Sequence, residues 1–329
     1  QEVSKADPEA TKHYVTYEPS GKAKGKYIVF VTGDEEYRSE EGMPQLAKIL
    51  AKHHGFKCSV HFAIDPKSGE INPNVRDNIP GLKHLNDADL MVIFTRFRDL
   101  PDEQMQHIVK YTESGKPIIG LRTATHAFNI GDSKRKYWKY THRNNDWKGG
   151  FGEQVLGERW VNHHGGHGTQ SSRGIPAKGM EDHPILRGIE PKTIWDPSDV
   201  YGVRLPMRKG IQPLVMGQVL SGMKPGDAPL KAKAGAKRDK NNPMMPVAWL
   251  NTWSPSKGKR ARVFATTMGA SQSLAAQGTR RLLVNACYWA LGMEKLITEK
   301  SEVGIVGKFK PTRFGFNKFT KGLKPADHK

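Results

Sequence analysis

Residues 117–128, PIIGLRTATHAF, decide how this chain is read. Ile118 and Ile119 form a β-branched apolar pair that Gly120 closes, the pattern of a buried strand reaching its carboxyl end. Arg122 and His126 follow at once. In open α/β sheets the ligands sit beyond the carboxyl ends of the strands. The turn therefore presents a nucleophile, a ligand pocket, or a histidine satisfied inside the core.

Working outward, KYIVFVTG carries an apolar strand at 27–32, and a polar loop separates it from an amphipathic helix at 43–54. Leu46, Ile49 and Leu50 share one face of that helix and Gly55 stops it. A second strand follows at 56–62, a short helical pattern at 82–88, and a third strand in DLMVIFTR. LPDEQMQHIVKYTESGKP reads as a helix with Asp102 and Glu103 where the helix dipole favours acids, ended by Gly115 and Pro117. The opening stretch is then a fourth strand. Strands alternating with helices predict an α/β fold, a flavodoxin-like, doubly wound and mostly parallel sheet with helices on both faces.

After residue 131 the pattern loosens into a long aromatic and basic loop. Regularity returns in MMPVAWLNTW, in KRARVFATTMG and in a helix at 279–291. The expected division is an extension at 1–25, one α/β domain at 26–293, and a basic, aromatic tail at 294–329. The tail has no helical repeat, yet Phe309, Phe314, Phe316 and Phe319 are costly to leave in water, so they should pin it along the domain or a partner subunit.

Composition narrows the classes of function. The 329 residues carry a net charge of +19, concentrated locally at 231–240 and in the tail, with no zinc-finger, basic-zipper or RNA-binding signature. Specific nucleic-acid binding is not expected, and an acidic polysaccharide suits diffuse basicity better. No apolar run is long enough to span a bilayer. Cys58 and Cys287 make neither a zinc framework nor a disulfide scaffold. A start at Gln1 fits removal of a signal peptide, hence an expectation of export to the periplasm or beyond.

Three stretches carry candidate chemistry. VTGDEEYRSEEG lacks any phosphate-binding glycine pattern, and Asp34, Glu35 and Tyr37 suit sugar hydroxyls or a cation. Arg96 and Arg98 fall on one side of a strand end, where they could grip an oxyanion or pair with Asp99 or Asp102. RWVNHHGGHGTQ gathers His163, His164 and His167 beside Gln170 and Trp160. Imidazoles at that density shuttle protons or bind metal, and the glycines indicate a loop. A site without a cofactor is the first expectation. The alternative is a divalent metal on His163, His167 and His126.

Together FTRFRDLPDEQM, GKPIIGLRTATHAF, FGEQVLGERWVNHHGGH, DHPILRGI, MPVAWLNTW and RVFATTMGASQSL resemble the ThuA-like, trehalose-utilisation family, closest to its planctomycete-type branch. The resemblance spans roughly 26–293 and implies the fold of class I glutamine amidotransferases. In those enzymes a cysteine stands at the turn where this chain has Arg122, so the thioester route is absent. Relatives tend to show Asp-Glu-x-Tyr where this chain reads PSDVY, a departure that puts the family's acid in doubt.

The resemblance implies carbohydrate chemistry. The leading expectation is an enzyme acting on a sugar or keto-sugar, with His126 and one of His163, His164 or His167 as acid and base and Arg122 polarising a carbonyl. Tyr140, Trp147 and Trp160 would rim the pocket. The rivals are a glycan-binding protein without turnover and a basic adaptor for acidic polysaccharide, and a homo-oligomer is compatible with each.

Overall fold

The computed structural model describes residues 12–329 except 233, 234, 236, 237 and 257. The start of the expected extension and much of the basic 231–240 stretch therefore lie outside the described residues. In chain order the first half runs β1 (Tyr14–Tyr17), β2 (Tyr27–Gly33), α1 (Ser39–His54), β3 (Lys57–His61), β4 (Leu90–Thr95), α2 (Asp102–Glu113) and β5 (Ile118–Leu121). The second half runs β6 (Asn162–His163), β7 (Ser172–Pro176), β8 (Trp195–Asp196), β9 (Tyr201–Gly202), β10 (Gln212–Val219), β11 (Met245–Trp253), β12 (Ala261–Thr266) and α3 (Gln277–Ala290).

The sheet order is β1-β3-β2-β4-β5-β12-β11-β10-β7-β8. Its centre, β3-β2-β4-β5-β12, is parallel throughout. Counting only those strands along the chain, the order is the 2-1-3-4-5 of flavodoxin-like sheets. Strands β2 and β4 are buried on both faces because a helix layer covers each side. Leu46, Ile49 and Leu50 of α1 share one apolar cluster with Leu282 and Leu283 of α3. Met105 and Ile108 of α2 belong to the cluster on the opposite face.

Three features differ from the sequence reading. Strand β1, inside the supposed extension, pairs antiparallel with β3. Beyond β12 the sheet turns antiparallel through β11, β10, β7 and β8, so with β1 half of its ten strands lie outside the parallel centre. Helix α1 begins four residues earlier than the 43–54 periodicity indicates, with Glu40 and Glu41 in its first turn. Hydrophobic period alone misses such a polar first turn.

The tail lies on the domain. Phe314 is buried, Phe309 packs against the core, and Phe316 is half exposed. Leu323 O accepts from Ile71 N at 2.8 Å, and the Tyr17 hydroxyl donates to His328 O at 2.6 Å. Among the described residues no helix is long and apolar enough to cross a membrane.

Candidate functional site

The site forms where β2, β4 and β5 end, around the position where the strand order reverses. After β5 the chain turns sharply into a short helical turn, Arg122–His126. Arg122 has φ +44°, in the left-handed region that non-glycine residues rarely occupy. Gly120 lets Leu156 close over the strand, since a Cβ there would meet Leu156 Cδ1 at 2.5 Å. Arginine thus stands at the tip of a sharp strand-to-helix turn.

Arg122 is buried and almost saturated. One terminal nitrogen donates to the Asp199 and Thr267 carbonyls at 2.8 and 2.7 Å. The other donates to the Tyr37 hydroxyl at 2.9 Å and to Asp199 Oδ1 at 3.2 Å. Only Nε has no protein acceptor. Burial disfavours the cation, but Tyr37, Asp199 and Asp196 outweigh it and hold the guanidinium protonated. Arg122 is therefore first a fastening between loops, with one N–H left over.

Asp199 is the hub. It precedes β9, is fully buried, and presents Oδ2 to His163 Nδ1 at 2.8 Å and Oδ1 to His167 Nδ1 at 3.1 Å. Burial works to raise its pKa, yet Arg122 and the two imidazoles pull it below the usual aspartate value. His167 Nε2 lies 3.2 Å from Glu36 Oε1, so its two ring nitrogens face two carboxylates. Burial, followed by Asp34, raises the Glu36 pKa despite Arg96 and His167.

Beside this hub lies a cavity of about 60 Å³ lined by Glu36, Tyr37, Arg96, Arg122, His126 and His163, together with Phe97, Thr123, Trp160 and Tyr201, with His167 and Asp199 outside the lining. On the scale where one water needs roughly 10–15 Å³, that admits the reacting end of a small polar ligand. Phe97 also borders a wide, open cavity of about 600 Å³ lined by Asp65, Asn74, Asp77, Asp99 and Asn129. Trp160 stands between the two pocket histidines, 5.8 Å from the His126 ring and 5.9 Å from that of His163. His126 is buried, and burial followed by the charge of Arg96 drives its pKa well below the ordinary value. It is neutral at physiological pH.

The other candidates have structural partners. Asp34 is buried and accepts the Glu36 and Tyr37 amides at 2.8 and 2.5 Å and the Thr123 hydroxyl, so it staples the loop. Glu35 pairs with Arg96 at 2.5 Å and Arg98 at 2.7 Å. Neither arginine takes Asp99 or Asp102, both of which Arg135 holds. Arg98 is fully buried and spends its remaining donors on the Arg96, Pro73 and Val75 carbonyls. His164 Nε2 and Gln170 both engage Lys240, and none of the three lines the cavity. Trp147 packs between Tyr140 and Trp253 in the opposite cluster, so only Trp160 of the expected aromatic rim remains.

A metal set built on His126 is not assembled. Among the described residues the group whose ligand atoms lie within 4.8 Å of one another is His163, His167 and Asp199. Those three could hold a cation. They also satisfy one another by hydrogen bonds, with Arg122 already on Asp199.

Sequence reasoning missed Glu36, Thr123, Asp199 and Tyr201. The signal for two of them was PSDVY itself: its Asp199 is the carboxylate that His163, His167 and Arg122 share, and its Tyr201 hydroxyl donates to Arg122 O at 2.5 Å. Glu36 sits between two residues that were selected.

The sequence pattern of the ThuA family, described as trehalose utilisation, matches residues 27–290. A solved ThuA-like protein from Parabacteroides merdae is similar at 15% identity, over 89% of this chain and 98% of its own, with a TM-score of 0.49. One from Bacteroides uniformis shares 14% identity over 83% and 94%, with a TM-score of 0.44. A search of curated proteins gives no match.

Proposed function

The chain belongs to the ThuA family, described as trehalose utilisation, and from that premise we propose that its site acts on a sugar or keto-sugar by histidine acid–base chemistry. The observation that carries the reading is His163, half exposed at the cavity rim and backed by the buried, ionised Asp199 at 2.8 Å. A carboxylate accepting from Nδ1 fixes that tautomer and leaves the Nε2 lone pair to take a proton. The proton would come from a sugar hydroxyl, or from the carbon beside a ketone. In the second case the electron pair moves onto the carbonyl oxygen as the C–H bond breaks.

His126 has the complementary role. As a neutral imidazole it offers a hydrogen bond without adding charge, in a cavity that Arg122 also lines. Arg122 thus contributes less to substrate than the sequence suggested and more to holding Asp199. Trp160 supplies an apolar wall on which the C–H face of a sugar ring can lie. Glutamine hydrolysis has no nucleophile here, because Arg122 holds the elbow and both cysteines are buried on other elements.

Titrating the full chain with trehalose, glucose and a ketoglucose while following the ring resonances of His126 and His163 tests this reading. A saturable shift of both histidines with at least one sugar is expected. Unmoved resonances with all three would remove the proposal.

A further inference from the structure

The residues beyond the family match do more than cover the domain. Residues 312–316 cross the site's outer side, and their contacts converge on groups that the site uses. Phe314 stacks on Tyr37 at 5.3 Å with planes 25° apart, and meets the edge of His167 at 5.5 Å. Gly315 N donates to Glu36 O at 2.7 Å. Arg313 reaches Gly168 O, next to His167, at 3.2 Å. Arg96 is sandwiched between Phe97 at 4.6 Å and Phe316 at 5.0 Å.

Both sides of this crossing are fastened. Upstream, the Thr312 amide and hydroxyl donate to the two Glu41 oxygens at 2.8 and 2.6 Å, and Ser271 Oγ reaches Thr312 O at 3.3 Å. Downstream, Leu323 and His328 are tied to Ile71 and Tyr17. Phe314 does not line the cavity; it stands behind Tyr37 and His167 as a buttress.

We propose that residues 312–316 are a built-in buttress behind the site, and that Phe314 is a positioning residue that sets the Tyr37 ring and the His167 imidazole around Asp199. The contacts form a closed circuit. Phe314 holds Tyr37, Tyr37 accepts from Arg122, Arg122 and His167 both hold Asp199, and His167 returns to Phe314. Loosening one member frees two others. Phe316, half exposed, shields the outer side of Arg96 and keeps that cation on Glu35. Any ligand of the pocket would meet a site shaped in part by the carboxyl-terminal tail. The inference rests on the sugar reading for what is bound, but its test needs no sugar.

The test compares full-length Phe314→Ala, Phe314→Leu and Phe314→Tyr with a tail control, Phe309→Ala, which touches the core away from the cavity. Leucine keeps most of the apolar bulk without the ring, and tyrosine keeps the ring. The His167 ring resonances should move in the alanine and leucine variants and return to the wild-type position with tyrosine. Amide exchange in 34–38 and 163–170 should quicken about tenfold in the alanine and leucine variants, as expected for lost local protection, and stay unchanged in Phe309→Ala. Wild-type His167 resonances and exchange in Phe314→Leu would overturn the proposal, and so would equal changes in Phe309→Ala. Absent sugar shifts in the wild type, with these tail effects intact, would count against the sugar reading alone.

Discussion

Asp199 shows how much one buried carboxylate can organise. It accepts from two imidazoles and one guanidinium, none of them near it in sequence. Arg122 in turn is buried and relies on that charge. Asp199→Asn should therefore lower the stability of the protein by roughly 3–5 kcal/mol, because removing one partner strands a buried cation. Denaturant unfolding measures this, and a loss under about 1 kcal/mol, the range of an exposed pair, would mean that Arg122 is held by its carbonyl partners alone. The residue was hard to select from sequence because its importance is electrostatic. Nothing in the spacing of PSDVY says that Arg122, far upstream, will be folded onto it. Histidines 163 and 167 were legible because three imidazoles within five residues are conspicuous, whereas His164 in the same run faces Lys240.

At the scale of elements, the parallel strands were legible because burial on both faces leaves uninterrupted apolar runs such as YIVFV and LMVIF. Strand β1 was not, because four residues at a sheet edge give too short a pattern. The antiparallel strands β7 and β8 are short and carry serine, arginine and aspartate, so their place depends on the neighbours they pair with. The turn carrying Arg122 and His126 sits at a strand end, and topology alone puts it beside the loops after β2 and β4. Topology does not say which side chains of those loops turn inward. Arg98 and Asp34 looked reactive by residue type and proved to be internal fasteners, while Glu36 and Tyr37 reach the cavity.

For the whole molecule, buried histidines set the response to acid. Burial, with His84 nearby, lowers His61 to about 3, and burial outweighs a backbone hydrogen bond in lowering His54 to about 4. His142 and His328 are also pulled to about 4, chiefly by burial. The unfolded chain takes these protons near pH 6.5 and the folded one refuses them until about pH 4, so the unfolded state binds more protons in between. Stability from these groups is fully present above pH 6.5 and falls as pH drops towards 4. Glu40, fully buried and raised to about 8 by desolvation despite Arg38, works the other way as pH falls from 8 to 4.5. Four histidines against one glutamate leave a net loss of stability as pH falls from 6.5 to 4. Melting temperatures that stay level across that window would show that these imidazoles reach solvent.

If His163, held by Asp199, takes a proton from the carbon beside the carbonyl of a bound keto-sugar, that position exchanges with solvent. Incubating the full chain with a ketoglucose in deuterated water and following deuterium at the carbon beside the carbonyl by NMR measures that proton directly. Exchange well above the buffer rate is expected, reduced by about a hundredfold or more in a folded His163→Gln variant, the usual scale of a lost general base. Exchange at the buffer rate in the wild type, or at the wild-type rate in His163→Gln, would contradict it.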